Sequence, residues 1–330
     1  MRSDRDLSFG RMVRHAAPCL GALGLAALGL ATATAAAAAP ATQVLIDDSR
    51  VFPESLTSTK AGDLIIGSSS KGAIYRARAG EDKASLWIDP KTSGMSALLG
   101  VFADERSHTL YACSAAFGAP PEKADGLSAL RAFNLATGAP KAAYPMPDGA
   151  KALCNDIAVA SDGTAYVSET LGGRVLRLKP GAKALEVWIK DASLAGVDGI
   201  AIGGDGAVYV NSVSASKMFR ISMGPHGAAG AITELEPSVK LAGPDGLRSI
   251  GGLKFLQAEG RGGRISEVVI DGGKATVVPL KTDVSGVTAV TVARGKAWYI
   301  NAKFAFRNDP ALKDKDPGPF TADAVDLPGM

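Results

Sequence analysis

Hydrophobic and polar positions recur along this chain in one arrangement: a polar residue, a short apolar strand, a turn and a second apolar strand. The stretch 153–168 has this order, with Asn155 at the polar position and an Asp-Gly turn at 162–163. The stretch 197–211 repeats it, with an Asp-Gly turn at 205–206. Two short apolar strands around such a turn predict a β-hairpin.

The hairpins belong to a longer repeat. Units begin near residues 54, 99, 155, 198, 245 and 287 and hold about four short strands each. Repeats of this length and content predict an all-β fold, a six-bladed β-propeller, in which neighbouring blades stack to bury their apolar faces. The last unit has only two or three clear strands, so we expect the lone strand at 42–46 to complete it and close the ring. A pair of β-sandwiches or a β-helix is the alternative, but neither explains strands in groups of four.

The two ends of the chain differ from the repeats. Residues 1–39 hold four arginines, an apolar run and an alanine-rich stretch, which predicts a cleaved secretory signal and a periplasmic or secreted protein. The propeller is predicted over residues 40–310. The polar, proline-containing segment 311–330 is predicted to be an extended tail laid over the ring.

Charge and cysteine content exclude several functions. The whole chain carries a formal charge of +3, and removal of four Arg and two Asp with the leader leaves about +1. This balance gives no reason to expect nucleic acid or a membrane as a partner after cleavage. Cys113 and Cys154 remain, and the sequence leaves open whether they form a disulfide or stay as buried thiols. With two histidines left, His108 and His226, a His-based triad is disfavoured.

The polar residues at the unit starts are the candidate site. The first strand of each blade runs beside the central axis of a propeller, so side chains at its start gather at one end of the channel. The starts hold Glu54, Asn155 followed by Asp156, Asp198 and Asp245, while the other two are mainly apolar. Crowded carboxylates raise one another's pKa, and a hard divalent cation relieves the repulsion. We therefore predict one divalent cation, with Ca²⁺ favoured and Mg²⁺ or Mn²⁺ as alternatives. The alternative interpretation is that such residues only form turns, as we expect for the Asp-Gly pairs in the hairpins.

These motifs resemble the gluconolactonase family that includes regucalcin (senescence marker protein), and more distantly the paraoxonases. The matching elements occur in family order over most of the mature chain: Pro53-Glu54-Ser55, Asn155-Asp156, Asp198-Gly199 and Pro244-Asp245-Gly246. The resemblance implies a six-bladed propeller with one cation, usually Ca²⁺ or Zn²⁺, held by Glu54, Asn155, Asp198 and Asp245. Asp198 is a departure, because the family often has Asn there, and the added charge should tighten cation binding.

The same resemblance implies opening of a lactone or cleavage of a related ester. Asp245 is the first candidate for the general base and Asp198 the second. Asn155, Asn211, Thr170 and Phe117 are candidate contacts for the small-molecule substrate. No Gly-x-Ser-x-Gly motif is present, so a serine esterase is not indicated. The competing hypothesis is a non-catalytic propeller that binds a ligand or a protein, since the fold serves both uses.

Overall fold

The fold is almost entirely β, as predicted. The structure, a computed structural model, describes residues 41–116 and 128–328, of which strands make up 54% and helices 6%. The predicted leader at 1–39 and Phe117 lie outside the described residues. No helix in the described part is long and apolar enough to cross a bilayer.

Most strands of the described residues fall into six units in chain order, five with four strands and the last with three. After β1 (Gln43–Ile46), blade one has β2 (Pro53–Ser58), β3 (Leu64–Ser68), β4 (Ile74–Ala77) and β5 (Lys83–Ile88). Blade two has β6 (Ala97–Asp104), β7 (Thr109–Ala115), β8 (Ala129–Asn134) and β9 (Pro140–Pro145). Blade three has β10 (Cys154–Val159), β11 (Ala165–Glu169), β12 (Arg174–Leu178) and β13 (Glu186–Lys190).

Blade four has β14 (Val197–Ile202), β15 (Val208–Ser212), β16 (Lys217–Met223) and β17 (Ala229–Glu234). A two-residue strand, β18 (Glu236–Pro237), pairs in parallel with the last strand of blade five. Blade five has β19 (Pro244–Gly251), β20 (Lys254–Glu259), β21 (Arg264–Asp271) and β22 (Lys274–Lys281). Blade six has β23 (Val287–Ala293), β24 (Lys296–Asn301) and β25 (Phe320–Asp326). Two short helices, α1 (Pro90–Ser93) and α2 (Ala305–Asn308), and three 3₁₀ turns at 149–151, 192–194 and 225–227 lie between strands.

The first strands of the blades form the inner wall of the ring. β2 contacts β6, and the contacts continue through β10, β14, β19 and β23 back to β2. The approach is close enough to require glycine: a Cβ on Gly199 would lie 2.2 Å from the backbone oxygen of Asp245. The six predicted unit starts are therefore confirmed as neighbours around one axis.

The hydrophobic core lies between blades. Six clusters of buried apolar side chains fill the six interfaces, for example Ile65, Leu98 and Phe133 between blades one and two. Between blades six and one, Leu56 packs with Trp298. Because each blade packs only against its neighbours, a blade buries both faces once both adjacent blades are in place, and the first and last blades need closure of the ring.

Ring closure joins the two ends of the described chain. Gln43–Ile46 pairs antiparallel with the segment 320–323, so β1 is the outer strand of blade six. The predicted closing strand is thus confirmed. The prediction of a tail over 311–330 is wrong for Phe320–Asp326, which is the third strand of blade six and pairs with β24. Phe320 and Ala322 are fully buried there, which a tail lying over the surface would not achieve.

Blades two and three are also linked covalently. Cys113 of β7 and Cys154 of β10 form a disulfide, with their Cα atoms 5.1 Å apart. Both side chains lie within the apolar cluster between these two blades. The sequence left open whether Cys113 and Cys154 form a disulfide, and the structure shows that they do.

Candidate functional site

The four predicted ligand residues meet at one end of the channel. Glu54, Asn155, Asp198 and Asp245 line a single cavity of about 10 Å³. This is roughly the space that one water molecule needs. Glu54, Asn155 and Asp198 are each less than 10% exposed. The cavity can therefore hold an ion or a water, while a substrate must occupy space outside it.

A local irregularity of the inner strands aims these side chains into the channel. The antiparallel register shifts between Pro53 and Ser55 in blade one, and the corresponding shift in blade three lies between Cys154 and Ile157. Blades four and five have the same feature around Asp198 and Asp245. A bulge re-aims a side chain that regular pairing would fix on one face of the sheet. The polar residue at each start is thus the residue that the bulge presents to the axis.

Asn155 is oriented by its amide nitrogen. Nδ2 donates to the Thr170 hydroxyl at 2.9 Å and to the Asp198 carboxylate at 3.0 Å. The Thr170 hydroxyl donates in turn to the backbone oxygen of Val197 at 2.8 Å, which fixes it as an acceptor toward Asn155. No described residue donates to Oδ1 of Asn155, so the amide oxygen is left for a cation or a ligand.

The pKa of each of the three carboxylates is raised, first by burial and then by neighbouring carboxylates. Burial, then the charges of Asp198 and Asp156, raise the pKa of Glu54 well above its usual value. Burial and the charge of Asp156 raise the pKa of Asp198 to about 7, against the opposing effect of its hydrogen bonds. Burial, the neighbouring carboxylates and a hydrogen bond with Asp198 raise the pKa of Asp245 well above its usual value. Without a cation, the group holds protons that a cation would replace.

A buried ion pair lies beside the carboxylates. Arg248 of β19 crosses the channel and donates to both oxygens of the Asp156 carboxylate, at 2.6 and 3.0 Å. It also donates to the backbone oxygen of Val101, so its side chain joins blades five, three and two. Asp156 is therefore paired directly with an arginine, and the charges of Arg248 and Arg307 also act on Glu54, where they oppose the rise in its pKa.

Two predicted substrate contacts have other roles in the structure. Asn211 is fully buried; its Oδ1 accepts from the Gly199 backbone at 2.9 Å, and its Nδ2 donates to the Asp245 backbone oxygen at 2.7 Å. It positions blades four and five against each other and is not available to a substrate, so that prediction is wrong. Thr170 orients Asn155.

Sequence reasoning missed Arg248 and Thr288. Arg248 is a charged residue in the middle of an inner strand, beyond its polar start, and that signal could have found it. Thr288 stands at the start of blade six, a position recognised from the repeat but assigned no function. Its hydroxyl is buried and has no hydrogen-bond partner among the described residues.

The donor set fits a hard divalent cation by its chemistry. Three carboxylates and a free amide oxygen, from four blades, are the oxygen ligands that Ca²⁺ prefers. They are not assembled into a closed cage: among residues 41–116 and 128–328, no group of three or more His, Cys, Asp or Glu side chains is arranged to hold a metal ion. The residues that would hold the cation are Glu54, Asn155, Asp198 and Asp245.

Comparisons with known proteins identify the fold class. No protein-family model matches the chain, and no curated protein matches it either. A solved structure of a candidate gluconolactonase is 15% identical, with a TM-score of 0.62 over 86% of this chain and 92% of that one. Regucalcin from Agrobacterium tumefaciens, a calcium-binding protein, is 16% identical, with a TM-score of 0.60 over 87% of this chain and 95% of that one.

A third neighbour has a different named activity. Virginiamycin B lyase from Staphylococcus aureus is 13% identical, with a TM-score of 0.59 over 86% of this chain and 98% of that one. At these identities the likeness shows the fold, a β-propeller. The neighbours include the gluconolactonase and regucalcin types that the sequence motifs resemble, which agrees with that interpretation.

Proposed function

We propose that this protein is a metal-dependent hydrolase that opens a lactone or cleaves a related ester at the mouth of the propeller channel. The observation that carries the proposal is the convergence of Glu54, Asn155, Asp198 and Asp245 on one small cavity. Ca²⁺ is the cation that this all-oxygen donor set favours. When bound, the cation supplies Lewis acidity toward a carbonyl oxygen.

The protein's own residues supply orientation and proton transfer. In this proposal Asp245 accepts a proton from a water whose oxygen attacks the carbonyl carbon. The carbon–oxygen bond of the ester then breaks, and the leaving oxygen takes the same proton from Asp245. Thr170 holds the Asn155 amide so that its oxygen faces the cavity. Asn211 holds the backbone of Asp245. The substrate is thus expected at the open end of the cavity.

A lactone panel tests the proposal. Hydrolysis by the purified mature chain, above the spontaneous rate, should disappear with a chelator and return with Ca²⁺. Asp245→Asn keeps an oxygen ligand but removes the base, so we expect kcat to fall about 10²–10⁴-fold while the metal remains bound. Asp162→Asn, in an exposed hairpin turn, is the matched control and should retain full activity.

Three results would count against it. Activity that survives complete metal removal would overturn metal dependence. Full activity in Asp245→Asn would remove the base assignment. No hydrolysis of any lactone or ester by a calcium-loaded protein would favour the non-catalytic binding propeller.

We also propose that the protein is exported. The leader pattern at 1–39 and the Cys113–Cys154 disulfide support this, because disulfides persist in oxidising compartments. Cell fractionation and the N-terminal mass of the mature chain test it. A cytosolic protein that retains residues 1–39 would contradict it.

A further inference from the structure

A larger pocket opens beside the channel cavity. It has a volume of about 440 Å³ and lies between blades five and six, under helix α2. Asp245 and Thr288 line both this pocket and the channel cavity, so the two spaces meet at these residues. The size is within the range of small-molecule sites, about 300–1,000 Å³. A substrate in this pocket would reach the proposed base and cation.

The wall of the pocket is mainly apolar. Val213, Val287, Phe304 and Phe306 contribute to it, together with several glycines. The two phenylalanines also pack against the core cluster of blades six and one, so a rigid base supports them.

The charged and amide groups at the rim make hydrogen bonds within the protein. Arg261 donates to the backbone oxygen of Val213 at 2.5 Å. Lys303 Nζ donates to two backbone oxygens of the segment 317–319, at 2.8 and 2.7 Å. Asn301 uses both ends of its amide, accepting from the Lys303 backbone at 2.8 Å and donating to Ser285 at 2.6 Å. The apolar part of the wall offers no partners to the hydroxyls of a polyhydroxylated ligand, which would lose their water there.

One polar group at the junction does lack a partner. The Thr288 hydroxyl is buried without a hydrogen bond to any described residue, and the residue is only 5% exposed. A buried hydroxyl without a partner destabilises the protein, and a ligand that supplies the partner removes this cost. Its position between the two spaces suits a hydrogen bond to the reacting ester group.

We propose that the substrate is a lactone or ester with an apolar substituent, which lies against Phe304 and Phe306 while its ester group meets Thr288 and Asp245. The inference rests on the proposed hydrolase function and adds the substrate class. This inference predicts that sugar lactones are not the preferred substrates.

Two six-membered lactones with opposite substituents test the substrate class. The calcium-loaded mature protein should hydrolyse δ-decalactone, which carries an alkyl chain, with a kcat/KM at least about tenfold above that for glucono-δ-lactone, which carries hydroxyls. Phe306→Ala and Phe304→Ala should each raise KM for δ-decalactone about tenfold and leave unsubstituted δ-valerolactone nearly unchanged. Leu171→Ala, at an apolar side chain that is 68% exposed on blade three, is the matched control and should change neither.

Thr288→Val separates binding from folding. The variant keeps the shape and removes the unpaired hydroxyl, so its unfolding midpoint should stay the same or rise. Its kcat/KM should fall about tenfold for both alkyl and unsubstituted lactones. A lower unfolding midpoint with unchanged kinetics would show that the hydroxyl is structural and would overturn its role.

A binding measurement distinguishes failure of this inference from failure of the proposed function. Titration calorimetry with the non-hydrolysable lactam analogue of δ-decalactone should show binding that Phe306→Ala weakens. Lactam binding without hydrolysis of any lactone would support the pocket as a ligand site and overturn the proposed hydrolase function. Hydrolysis of glucono-δ-lactone that is faster than that of δ-decalactone, and unaffected by either phenylalanine substitution, would overturn the pocket as the substrate site. The proposed hydrolase function would stand. Neither hydrolysis nor binding would overturn both.

Discussion

At the scale of single residues, the decisive feature is a set of buried carboxylates that hold protons when no cation is present. The pKa of Asp198 is raised to about 7, whereas an aspartate in an unfolded chain has a pKa of about 3.9. As the pH rises between these values, the unfolded state releases its proton first and is stabilised. The cation-free protein should therefore lose stability from pH about 4 to about 7, and the loss should stop once the folded group has also ionised.

Asp198→Asn tests this dependence. In chelator, the stability of the wild type should fall relative to that of Asp198→Asn as the pH rises through this window, and saturating Ca²⁺ should reverse the difference at neutral pH. Urea unfolding midpoints at several pH values measure both effects, with Asp162→Asn as the control. Parallel pH curves for wild type and Asp198→Asn would contradict the prediction.

The Arg248–Asp156 pair gives a second prediction at this scale. Both side chains are less than 10% exposed, so Arg248→Met leaves a buried carboxylate without its partner. We expect the free energy of unfolding to fall by about 3–5 kcal/mol. The double variant with Asp156→Asn should recover part of the loss, because the unpaired charge is then removed. Equal destabilisation of the single and double variants would show that the ion pair itself contributes little.

At the scale of elements, the disulfide is the strongest single link between blades. It joins β7 of blade two to β10 of blade three across 41 residues of sequence. Removing it in a Cys113→Ala, Cys154→Ala double variant should lower the free energy of unfolding by about 2–4 kcal/mol. Chemical denaturation measures the change. Reductant should lower the wild type to a similar value and leave the double variant unaffected; a reductant effect on the variant would contradict the assignment.

At the scale of the whole molecule, the ring depends on β1. Val44 and Ile46 are at most 2% exposed and lie in the cluster between blades six and one. A chain that starts at Asp48 loses both side chains, which costs about 3–6 kcal/mol of buried apolar surface, and exposes the edge of β25. A chain that starts at Pro40 is the control and should fold normally. Hydrogen exchange should show loss of protection first in blade six; uniform protection in the shorter chain would mean that closure does not depend on β1.

The sequence by itself determined the repeat, the hairpins and the polar unit starts. These features are local, because alternation of apolar residues and turn chemistry act within a few positions of the chain. The order of Glu54, Asn155, Asp198 and Asp245 along the repeats was therefore sufficient to predict that they would share one end of a channel. Pro140–Pro145, the fourth strand of blade two, gave no clear signal because its residues are mostly exposed.

Only the tertiary structure decided what depends on partners distant in sequence. Phe320–Asp326 is a strand because β24 and β1 lie on either side of it, and its polar surroundings had predicted a tail. Arg248 reaches Asp156 only because blades five and three face each other across the channel. The pocket between blades five and six exists because two units meet there, and such a meeting cannot be read from either unit alone.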